Sequence, residues 1–148
     1  MVDVFDVAKW FLSKESMTHK KLQKLCYYAQ AWHYTLLGER LFADEIQAWI
    51  HGPVIPALYK KYHDHGWRDI PQSTEAPTFP KKTEELLERV YCTYGDFTGN
   101  DLEGMTHSEM PWIKARNGLQ YWEQSTNPIS LDDMRSFYLG LYNDYQND

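Results

Sequence analysis

THKKLQKLCYYAQAWHYTLLG, residues 18–38, is the stretch that decides the fold. Leu22, Leu25, Cys26, Ala29, Trp32, His33 and Leu36 recur at the i, i+3, i+4, i+7 spacing of a single helix face. Thr18 stands where an N-cap is wanted, and Gly38 where a helix closes on a left-handed residue. Lys20, Lys21 and Lys24, interleaved with Tyr27 and Tyr28, form a basic-aromatic patch that reads as a solvated helix face.

Working outward, Val4, Val7, Phe11 and Leu12 share a face and predict a helix over 3–15. On the other side, Leu41-Phe42 and Ile46–Ile50 read as two short extended pieces, the second stopped by Gly52-Pro53. Pro56 suits the first turn of a short helix, Ala57–His63. Residues 64–80, with Gly66, Pro71, Pro77 and Pro80, read as a surface loop. Helices are expected at Glu84–Tyr94, in a short piece ending near Gly104, and from Ser130 onward. Thr106 and Glu109 have capping-box spacing ahead of Pro111, as Ser130 and Asp133 do ahead of the last helix. The fold class is mainly α, or α+β at most. It is a single-domain helical bundle over 1–148 with a small two-stranded β element around residues 40–54.

Composition narrows the function. A net charge of −6 argues against a general nucleic-acid binder, leaving only the Lys20–Lys24 face for such a role. Aromatic residues make up 16%, so some rings are expected in a contact surface as well as in the core. Cys26 and Cys92 lack CxxC spacing and sit in apolar helical patterns, as small buried thiols do. Met1–Asp6 has neither the basic nor the apolar part of a signal peptide, and no apolar run is long enough to span a membrane, so a cytoplasmic location is expected.

Catalytic patterns are weak. Six histidines invite a metal site, but there is no HExxH and no Cys/His quartet. An enzymatic reading has to draw together His107, Glu109 and one of His51, His63 or His65 as a small metal-dependent hydrolase. Glu84/Glu85 and Asp132/Asp133 fall in first helical turns, where the helix dipole accounts for them. No catalytic residue, metal or cofactor is assigned.

Three segments carry a family resemblance. Lys21–Trp32 resembles the KLQKLLYYAQGW signature of the Panacea domain, also called the SocA-like antitoxin domain, which phage-associated proteins of the GepA type also carry. Ala48–Pro56 resembles that family's AWxxGPVxP segment, and Thr106–Arg116 its THxExPWxxAR segment. Ile129-Ser130, Asp133 and Phe137 fit its closing helix. The segments occur in family order across residues 5–142. Cys26 replaces a usual aliphatic residue, and Met110 a polar or acidic one.

The resemblance implies a type II antitoxin that neutralises a cognate protein toxin by direct contact. One family member instead works as an adaptor to a cytosolic protease. No helix-turn-helix module accompanies the domain. Trp49, His51, Gly52, Pro53, Trp67, His107, Trp112 and Trp122 are the candidate partner-binding residues. Lys21, Leu22, Lys24, Leu25, Tyr28, Trp32, Pro111 and Arg116 are the motif residues expected to serve as scaffold.

Overall fold

In the computed structural model, which describes residues 1–147, the expected helix is α2 (His19–Leu37). Thr18 Oγ1 accepts from the Lys21 N–H at 3.3 Å, and Gly38 (φ 73°) donates its N–H to Tyr34 O. The basic face is not solvated, however. Every residue from Lys21 to Ala31 is buried, because α1 (Val4–Lys14), the β-hairpin and four other helices pack around α2. It is the axis of the molecule, with no outer side along those three turns.

A central helix with polar side chains must find partners for them. Gln23 accepts from Ile55 N at 2.8 Å and donates to Ile55 O at 3.0 Å. Gln30 does the same for Leu41 N and Phe42 O, both at 2.7 Å. Two amides thereby take the place of a strand edge for the irregular chain between residues 38 and 55. Leu41-Phe42 is consequently held against α2 and is not a strand.

The two-stranded element is β1 (Gln47–Trp49) against β2 (Gly52–Val54), antiparallel, with Trp49 opposite Gly52. Gly52-Pro53 therefore does not end the extended region but forms its second strand, and Ile50-His51 make the turn. Ala48 N–H donates to Asn127 O and Ile129 N–H to Ile46 O, both at 2.8 Å, so the 127–129 segment runs along the hairpin's outer edge.

The remaining elements are α3 (Pro56–Tyr62), a 3₁₀ turn at His63–His65, α4 (Lys81–Tyr94), α5 (Gly99–His107), α6 (Met110–Ala115) and α7 (Leu131–Gln146). The architecture is thus mainly helical with one small hairpin, as the sequence predicts. The capping box at the middle of the chain is not Thr106/Glu109. It is Thr98/Asp101, each accepting the other's backbone N–H at 3.1 Å, and α5 runs on past Gly104 to His107. Thr106 donates to Glu103 O inside that helix. Ser130 does cap α7, through Asp133 N. The 64–80 loop is tied down at Met17–Ile70, and Cys92 is exposed while Cys26 is buried.

Candidate functional site

The three motif segments meet where the hairpin crosses α2 and α5. Gly52 (φ 107°) lies so close to α2 that a Cβ there would stand 2.7 Å from Lys24 Cε and 3.0 Å from Thr106 Oγ1. Glycine is required at this position by both the dihedral and the contact. Trp112 Nε1 donates to Trp49 O at 2.8 Å, and Arg116 reaches Ala48 O at 3.2 Å, Gln120 O at 2.8 Å and Glu123 O. These two side chains fasten the hairpin and the 120–126 segment to one another through main-chain oxygens.

Beside the hairpin opens a cleft of about 820 Å³. Lys24 and His19 lie at its floor, Trp49, Tyr59 and Trp67 wall it, and Gln124–Thr126 form part of the rim. Lys24 is 1% exposed and donates to Pro53 O at 3.1 Å. Burial pulls its pKa down to about 7, with Lys20 adding to the effect and Glu103 opposing it. The pKa of His19 is lowered, first by burial and then by Lys24. That of His107 is lowered too, chiefly by burial, against the pull of Glu103 and the Ile50 carbonyl. Lys20 pairs with Glu103 at 2.7 Å and lies 5.6 Å over the Trp67 ring, while His51 Nδ1 is 3.3 Å from the same carboxylate.

Of the candidate contact residues, Trp49, His51 and Trp67 line this cleft, Trp67 being 83% exposed. His107 stacks on Trp112 with ring centroids 4.1 Å apart. Gly52, Pro53 and Trp112 are buried, so they shape the hairpin and have little surface to offer a partner. Trp122 is 61% exposed, two residues before the rim segment Gln124–Thr126 but not itself lining the cleft, and edge-on to the exposed Tyr121. The scaffold residues Leu22, Leu25, Tyr28, Pro111 and Arg116 are buried, and Trp32 is half-buried with its Nε1 donating to Tyr94 Oη. His19, Tyr59 and Glu103 were not singled out by the sequence. The available signal was His19-Lys20 followed one turn later by Gln23-Lys24, a polar stripe on a helix that is otherwise apolar.

The hydrolase constellation does not assemble. Glu109 turns into a tyrosine cluster, accepting from Tyr28 Oη at 2.8 Å and Tyr138 Oη at 2.9 Å, while His107 faces the hairpin turn and Trp112. Burial raises the Glu109 pKa, against the two tyrosine hydrogen bonds. His63 and His65 sit on the 3₁₀ turn. Among the described residues no three His, Cys, Asp or Glu side chains gather as a metal group. The basic face for nucleic acid is likewise absent. Lys21 donates to Gly95 O at 2.6 Å and pairs with Glu15 at 3.2 Å, and Lys24 is buried.

Fold and site together define a small helical scaffold that braces a hairpin and a loop over a cleft floored by Lys24 and His19. The chain belongs to the antitoxin SocA-like, Panacea domain family, whose model matches residues 22–113. It is similar to the antitoxin SocA of Caulobacter vibrioides (strain NA1000 / CB15N), 27% identical over 135 residues, covering 79% of this chain and 72% of that one. No solved structure matches it. Among the described residues no helix is long and apolar enough to cross a membrane.

Proposed function

We propose that this chain, as one domain over 1–148, is a type II antitoxin that neutralises a cognate protein toxin in the cytoplasm by binding it directly. Family membership across residues 22–113 carries the reading. Two further features support it. The motif residues are consumed in bracing the fold, as a scaffold shared among different partners requires. Large rings also stand open on irregular segments, namely Trp67, Tyr121 and Trp122, and rings of this kind dominate interface energetics. The chain acts as a docking surface and makes or breaks no bond.

Co-expression with the product of the gene next to this one, where the reading places the toxin, is the test. Growth should be restored, and the two proteins should co-purify as a stoichiometric complex. If growth stays arrested and the two proteins never associate, the reading is wrong. A pulse-chase of the toxin in the same cells separates occlusion from delivery to a protease: under direct neutralisation the toxin's lifetime is not shortened.

A further inference from the structure

Among the described residues two buried side-chain atoms have no hydrogen-bond partner, His19 Nδ1 and His107 Nε2. Both histidines feel the charge of the same side chain, Lys24. Its ammonium carries three donors and uses one, on Pro53 O at 3.1 Å. Glu103, whose charge reaches Lys24, is already held by Lys20 and His51 and makes no ion pair with it. A dry ammonium without a counter-charge is costly, and unused donors on it add to the cost. Of these groups His19 and Lys24 line the cleft beside the hairpin, and His107 does not.

The nature of the missing group follows from charge and shape. The chain as a whole carries −6, yet the two ionisable side chains on this floor, Lys24 and His19, are bases, which an incoming carboxylate would favour in their charged forms. A phosphate backbone wants a track of free cations. Here Lys20 and Lys21 are already paired, which leaves one buried ammonium for one anion. Trp49 and Trp67 add apolar walls, and about 820 Å³ lies within the range of built binding sites. We propose that the cleft receives an acidic segment of the partner protein, seating an Asp or Glu carboxylate on Lys24 and a neighbouring apolar side chain against Trp49 and Trp67. The identity of the supplier, a protein, rests on the antitoxin reading.

The test is a heteronuclear NMR titration of the whole chain with three probes: the peptide acetyl-Gly-Glu-Leu-Gly-amide, its Gln counterpart and sodium succinate. The Glu peptide should shift the Trp49 and Trp67 indole N–H and His19 ring signals to saturation, about ten-fold more tightly than the Gln peptide, the worth of one charge-assisted contact. Equal binding of the two peptides, or no binding, overturns the proposal. So does succinate binding as tightly as the Glu peptide, which would make this a site for a free carboxylate. Lys24→Met should abolish the discrimination. Should that variant not fold, Trp67→Ala, changed at an exposed ring, should weaken the Glu peptide, and unchanged affinity there counts against the cleft. Co-purification separates the two readings. A toxin complex that forms undiminished with Trp67→Ala sinks the cleft and leaves the antitoxin reading intact. Selective peptide binding with no rescue of growth supports the cleft and sinks the antitoxin reading.

Discussion

Two ionisable groups, one on α2 and one packed against it, are treated in opposite ways. Glu109 is enclosed by Tyr28 and Tyr138, each giving it a hydroxyl, within a cluster where Tyr28 also stacks on Tyr94 at 3.8 Å. Lys24, one turn of α2 before Tyr28, has a single carbonyl and an open cleft above it. The carboxylate, partly buried, is matched by donors, as in a structural polar network. The ammonium is fully buried at the cleft floor and under-matched. Where a fold leaves a buried charge short of partners, a ligand has something to supply.

The contrast can be broken by mutation. Glu109→Ala leaves the Tyr28 hydroxyl unpaired and Tyr138 with Tyr27 alone, and should cost about 2–3 kcal/mol in urea denaturation. A loss below about 1 kcal/mol would mean the tyrosine cluster does not depend on the carboxylate. Second comes pH. With the Lys24 pKa at about 7 in the folded chain, against 10.5 for a free lysine, the unfolded chain holds a proton that the native one releases. Stability should therefore rise between about pH 7 and pH 9, and the rise should vanish in Lys24→Met. The buried tyrosines, with pKa values raised above 10, oppose this trend only at higher pH.

Third, Lys24→Met keeps the aliphatic stem and removes the uncompensated charge, so at pH 7 its stability should stay within about 1 kcal/mol of the native chain. A large loss would show that the ammonium is structural, like Glu109. The smallest effect on stability belongs to Trp67→Ala, within about 0.5 kcal/mol. The same change should weaken a toxin complex by about 2 kcal/mol, read by calorimetry.

Helices α2 and α7 were legible because their caps and apolar spacing agree with one another. The two-stranded element around 40–54 was legible but its pairing was not, since three-residue strands are too short to show a period and Gly52-Pro53 looks like a breaker. Burial of Lys21 and Lys24 was hidden for a related reason. Lysines read as solvent-facing until the carbonyls of Gly95 and Pro53, distant in sequence, arrive beside them. At the site, the candidate contact residues Trp49, His51 and Trp67 were legible one by one, while their meeting in one cleft was not. Nor could the third motif show that His107 and Glu109, two residues apart, part company where α5 gives way to α6.

Gln23 and Gln30 grip the chain solely by its peptide groups, at Ile55 and at Leu41-Phe42. Peptide groups are common to every amino acid apart from the missing N–H of proline. A tether of that sort is blind to side-chain identity. The hydrogen bonds at Leu41-Phe42 and Ile55 thus do not depend on which side chains those positions carry, whereas Gly52, between them, is held to one residue type.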